Sequence, residues 1–187
     1  MSAELKQRMD VLCRCMHEYQ KNNNITSECI ANTLFLYQQL KPFDKDNKIS
    51  VENVLMLGKR KVGDKAYVIT SGHVVLMFEG DVIEASYEFQ QMQEKTYFNK
   101  LNQMLKGVSD LDWPSQEERD RCRRHVVTTF LEFTEIKECI LNGTCDFWKL
   151  DYFKEQVKYV VGRVEELNCL AEKRKKQVRK DKTAKRL

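Results

Sequence analysis

Apolar residues recur three and four apart at Leu5, Met9, Leu12, Met16 and Tyr19, which predicts an amphipathic helix over residues 3–21. The run Asn22, Asn23, Asn24 ends it. Thr26 or Ser27 is placed to cap a second helix, in which Ile30, Leu34, Leu36, Tyr37 and Leu40 cover much of the circumference until Lys41 and Pro42 stop it. A helix apolar over so wide an arc belongs at the centre of a core. After the polar residues 43–48, the pattern changes to apolar and β-branched runs at 49–57, 66–70, 73–78 and 82–86, which predict strands. Glu79, Gly80 and Asp81 give a tight hairpin signal between the last two.

Helical spacing returns at Phe89, Met92, Tyr97, Leu101 and Met104, predicting a helix from Tyr87 to residue 106, with 107–114 as a connection. Ser115 with Glu118 is a capping-box pattern for a further helix, which Gly143 can terminate. Asp146 is placed to cap a long final helix with a stripe of Phe147, Leu150, Phe153, Val157, Val160, Val164, Leu167 and Leu170. That stripe either packs within the chain or joins two copies as a coiled coil, giving a homo-oligomer. Two helices, a small antiparallel sheet and further helices make an α+β fold. Residues 1–170 read as one domain, with a core at 22–88 and a helical extension at 89–170, followed by a basic tail at 171–187.

Composition agrees: 42% hydrophobic and 32% charged residues with two prolines suit a folded, helix-rich protein. The N-terminus lacks the apolar centre of a signal peptide, and no stretch approaches the roughly 20 apolar residues that span a bilayer. Seven scattered cysteines, an odd number, fit free thiols in a reducing compartment, so a cytoplasmic location is expected. The net charge of +4 is uneven, because residues 171–187 hold nine Lys/Arg against two Asp/Glu and leave the remainder at −3. Lys173, Arg174, Lys175 and Lys176, with Arg179, Lys180, Lys182, Lys185 and Arg186, are either a solvated helix end or a surface for nucleic acid, an anionic membrane or a nuclear import receptor.

The candidate chemistry lies in Cys29 and His73. Cys29 falls in the first turn of the second helix, where unpaired N–H groups and the helix dipole stabilise a thiolate, and His73 opens an apolar strand from which an imidazole can take the proton. A two-residue turn at Glu79 and Gly80 puts Glu84 opposite Val75 and Ser86 opposite His73, so Glu84 is a diagonal neighbour of His73 on the same face. A turn at Gly80 and Asp81 brings Glu88 opposite His73 instead. Either carboxylate can hold the imidazole in one tautomer. Metal binding is disfavoured: Cys13 and Cys15 diverge by about 200° on a helix, and Cys139 lies about 25 Å along its helix from the pair Cys122 and His125. No metal or other cofactor is expected, and Gly58 and Gly63 form no phosphate loop.

Cysteine at a helix start in Glu28-Cys29-Ile30-Ala31-Asn32, histidine in Ser71-Gly72-His73-Val74-Val75 and an acid in Val82-Ile83-Glu84-Ala85-Ser86 occur in an order that resembles the papain-like cysteine hydrolase superfamily, especially its transglutaminase-like branch. The resemblance covers residues 22–88. It implies a central helix against a small antiparallel sheet, and a hydrolase or acyltransferase that cleaves an amide, isopeptide or ester bond of a peptide, protein or acyl substrate. Cys29 would attack, His73 would act as base and then acid, Glu84 would orient His73, and Asn23 would donate to the oxyanion. Glu stands where Asp or Asn is usual, and Asn23 where glutamine is. The alternative is a non-catalytic binding protein on the same scaffold, engaging nucleic acid or a protein through its basic tail.

Overall fold

The computed structural model describes residues 2–26, 28–62, 65–90, 92, 94–146 and 151–184. Its fold is α+β. In chain order the elements are α1 (Ser2–Asn23), α2 (Cys29–Leu40), a 3-10 turn (Lys41–Phe43), β1 (Ile49–Val62), β2 (Lys65–Phe78), β3 (Asp81–Ile83), α3 (Tyr87–Gln90), β4 (Glu94–Phe98), α4 (Leu101–Ser109), α5 (Gln116–Asn142) and α6 (Asp151–Ala184). The strands form one curled antiparallel sheet in the order β3-β2-β1-β4.

Helix α2 is the centre of the molecule, as its apolar girth predicts. Ala31, Leu34, Phe35, Leu36 and Leu40 are all buried, on several sides of the helix. Leu5, Met9, Leu12 and Met16 of α1 pack with it in the main cluster, where Leu76 and Phe78 of β2 and Phe153 and Val160 of α6 complete the core. Among the described residues of the α6 stripe, Val157, Val164 and Leu167 pack against the same cluster, and Leu170 is exposed. Phe147 and Leu150 of that expected stripe lie outside the described residues, as do Lys185 and Arg186 of the tail. The rest of the basic segment continues α6 as helix to Ala184.

Several sequence expectations change. The N-cap of α2 is Glu28, which makes no side-chain cap bond; Thr26 precedes it and Ser27 lies outside the described residues. The runs at 66–70 and 73–78 are a single strand paired with β1 from Phe78 opposite Ile49 to Lys65 opposite Val62. Gly72 sits mid-strand because α5 crosses there: a Cβ on it would lie 2.1 Å from Thr129 Cγ2. The strand expected over 82–86 ends at Ile83. The helix expected from Tyr87 to 106 is broken. Only Tyr87–Gln90 is helical, and Glu94–Phe98 instead adds an edge strand, with Tyr97 opposite Met56 of β1. The aromatic and β-branched Thr96, Tyr97 and Phe98 favour that pleated state. Helix α4 then runs past the expected stop at Gly107, whose missing side chain admits Phe98: a Cβ would meet its ring at 2.9 Å. Ser115 and Gly143 cap α5 as read, Ser115 Oγ accepting from the Glu118 N–H and Gly143 adopting φ 68°.

Candidate active site

Three short-range features bring the site together. Cys29 is the first residue of α2, whose opening N–H groups have no intrahelical carbonyl to meet. One turn on, Thr33 Oγ1 donates to the Val74 carbonyl at 2.9 Å, which pins this face of α2 beside His73 on β2. The hairpin then decides which carboxylate meets His73. Phe78 pairs with Asp81, so the turn is Glu79-Gly80, both with positive φ (54° and 93°), as the twist of a tight hairpin requires. Continuing that register places Glu84 diagonally from His73, the first of the two sequence alternatives, while Glu88 falls in α3.

His73 is 1% exposed, and its Nε2 lies 3.1 Å from each Glu84 carboxylate oxygen. An ionised carboxylate only accepts, so Nε2 carries a proton and donates. Nδ1 is buried with no hydrogen-bond partner among the described residues. The Cys29 thiol also acts on this imidazole and raises its pKa. Desolvation alone would lower the His73 pKa, yet hydrogen bonding with Cys29 and Glu84 and the Glu84 charge outweigh it, and the imidazole is pushed up to about 9.

Glu84 is as firmly held. Its Oε1 accepts from the Ser86 N–H at 2.9 Å and its Oε2 from the Tyr97 hydroxyl at 2.8 Å. Desolvation pushes its pKa up, but the His73, Ser86 and Tyr97 donors overcome that and keep the carboxyl below its ordinary range. With His73 on both oxygens, every acceptor position of this carboxylate is used.

A buried polar chain fixes the backbone that carries Glu84. His17 Nε2 donates to the Glu84 carbonyl at 2.9 Å, and burial lowers the His17 pKa. Gln20 Nε2 donates to the Ala85 carbonyl and its Oε1 accepts from the Tyr87 N–H. Gln20 Nε2 also reaches Gln156 Oε1; Gln156 Nε2 donates to Asn32 Oδ1, and Asn32 Nδ2 to Ser86 Oγ. Helices α1, α2 and α6 thus meet on residues 84–87.

Around the sulfur the walls are apolar. Cys29 is 9% exposed and clusters with Met56 and Phe89, with Met92 and Tyr97 packed against them. The Phe89 ring stands edge-on to the imidazole at 4.6 Å. Asn23 does not serve as an oxyanion donor in this arrangement, because its amide donates to the Tyr19 carbonyl of its own helix at 2.8 Å. No cluster of three or more candidate metal ligands occurs among the described residues.

Sequence reasoning brought Cys29, His73 and Glu84 together and missed their supports. Helical spacing claims Tyr97, and nothing in the sequence pattern links His17 to residue 84. Gln20 and Gln156 left a legible trace, each a polar residue on an otherwise apolar helical stripe. No family model, curated protein or solved structure matches this chain. No helix among the described residues is long and apolar enough to cross a membrane.

Proposed function

We propose that the protein is a papain-like cysteine hydrolase or acyltransferase of the transglutaminase-like type, acting on an amide, isopeptide or ester bond. One observation carries the reading: the Glu84 carboxylate occupies Nε2 of His73 and leaves Nδ1, the nitrogen with no other use, for Cys29. The proton of the Cys29 thiol passes to Nδ1, and the sulfur attacks the acyl carbon. Glu84 stabilises the imidazolium so formed. Backbone N–H groups of the first turn of α2, which begins at Cys29, are the donors for the developing oxyanion, in place of the side-chain donor expected from Asn23. Nδ1–H then protonates the departing amine or alkoxide as the carbon–heteroatom bond breaks, leaving a thioester. Water, or an acyl acceptor, gives its proton to Nδ1 and attacks the thioester, releasing the product acid or acylated acceptor and the Cys29 thiol.

Phe89 and Met92 pack with Cys29, which is 9% exposed, so a substrate must displace them to reach the sulfur. That burial also favours a second reading, a binding protein on the same scaffold, for which the exposed Lys173, Arg174, Lys175 and Lys176 of α6 offer a basic surface for nucleic acid.

Iodoacetamide near pH 7 with peptide mapping separates the two. The enzymatic reading expects Cys29 to label ahead of the exposed Cys139 and Cys169, Cys29→Ala to lose that label with unchanged circular dichroism, and His73→Gln to slow it by at least tenfold. Labelling of Cys139 and Cys169 with Cys29 inert, together with nucleic-acid affinity lost on deleting residues 171–187, supports the binding reading.

A further inference from the structure

Lys95 is a cation close enough to Glu84 to feel its charge. It lies on β4 opposite Gly58, two residues before Tyr97, so side-chain alternation turns it to the same side of the strand as the tyrosine that binds Glu84. It is half-buried, yet among the described residues it has no hydrogen bond and no ion pair within 4.0 Å. The nearby titratable groups are His17, whose protonation Lys95 disfavours, and Glu84, whose four acceptor positions are already filled by His73, Ser86 and Tyr97. Desolvation lowers the Lys95 pKa, while the Glu84 field works to raise it.

Withdrawing an ammonium from water without a partner costs free energy that packing does not return. Once the Cys29 proton is on His73, thiolate, imidazolium and Glu84 carry one net negative charge, which the Lys95 ammonium balances without being bonded to any of them. Resting on the cysteine-hydrolase reading above, we infer that Lys95 is a specificity residue that binds a carboxylate of the substrate next to the bond attacked by Cys29. The acyl donor is then an anionic amide or ester whose apolar remainder lies along Met56, Phe89 and Met92.

Two alkylating agents of one size test this without knowledge of the substrate. Iodoacetate and iodoacetamide react identically, the Cys29 sulfur forming a bond to the methylene carbon as iodide departs. They differ in presenting a carboxylate or a neutral amide one bond from that carbon. The quantity read is the ratio of the two rate constants at Cys29, at low ionic strength and neutral pH, which removes the intrinsic reactivity of the thiol.

A single charge about 10 Å from the reacting carbon, in a medium between water and protein, changes such a ratio by about fivefold. Lys95→Met should therefore lower the iodoacetate-to-iodoacetamide ratio by about fivefold, Lys95→Glu should lower it further, and Lys95→Arg should keep it near wild type. Ratios at the exposed Cys139 and Cys169 should not change in any variant. An identical ratio at Cys29 in wild type, Lys95→Met and Lys95→Glu overturns the assignment of Lys95. Cys29 reacting no faster than Cys139 and Cys169 with either reagent overturns the enzymatic reading and the inference with it; the ratio, readable however slow the reaction, tells the two failures apart.

Discussion

At the scale of single residues, His73 and Glu84 exchange stability with pH in opposite directions. The imidazole sits at about 9 against an ordinary 6.5, so the stabilisation its proton brings is complete below about 6.5 and is lost as pH rises through 9. The Glu84 carboxyl is depressed from 4.5, so its contribution is present above that value and is lost on acidification through its folded pKa. The pair is strongest between these limits. Over the alkaline window the His73 shift corresponds to roughly 3 kcal/mol. Urea unfolding of the wild-type protein should show a stability that declines from pH 6.5 to pH 9.5. Glu84→Gln should be about 3 kcal/mol less stable at pH 6.5, because a buried pair loses one member, and its alkaline decline should shrink by a similar amount. Parallel pH profiles for the two proteins would show that Glu84 does not set the His73 protonation.

Among elements, legibility follows how local the deciding physics is. The Cys29 helix start, the Glu79-Gly80 turn and the alternation that carries Glu84 to His73 are set within a few residues of each other, so the sequence reveals them. Strand β4 is different: Phe89, Met92, Leu101 and Met104 carry helical spacing, but the step from Met92 to Tyr97 is five positions, and only the free edge of β1 resolves the conflict in favour of a strand. The outer halves of β1 and β2, at Lys59-Arg60-Lys61, show no apolar alternation and are strands through ladder pairing with residues 66–68. Gly72 is a tertiary effect of the same kind, invisible until α5 is laid across it. Thr129 is β-branched and stiff in its helix, so Gly72→Ala should push α5 off the sheet and cost roughly 1–3 kcal/mol in urea unfolding. Thr129→Ser removes the Cγ2 that a Cβ would strike and, added to Gly72→Ala, should restore at least half of the loss. Additive costs in that double-mutant cycle would place the strain elsewhere.

For the molecule as a whole, the position of the acid depends on the far end of the chain. Gln156 on α6 is fully buried and joins Gln20 of α1 to Asn32 of α2, and these two hold the backbone of Ala85 and Tyr87 and the hydroxyl of Ser86. Networks of this kind are worth most when complete, since each unsatisfied member bears the full cost of its desolvation. Gln156→Leu keeps the volume close and removes both amide bonds, stranding the Asn32 carbonyl and one Gln20 donor. It should cost roughly 2–4 kcal/mol. A stability loss alone would describe any core glutamine, so the informative reading is at Cys29, more than a hundred residues away. If the network positions residues 84–87, Gln156→Leu should slow iodoacetamide labelling of Cys29 under conditions where the variant is fully folded, and should flatten its dependence on pH as His73 loses its fixed carboxylate. Phe153→Leu, at a neighbouring core position of α6 that touches Phe35 and makes no polar contact, supplies the matched control: comparable destabilisation with the Cys29 rate and pH profile of the wild type. Equal effects of the two substitutions on Cys29 would mean that α6 acts on the site only through general stability.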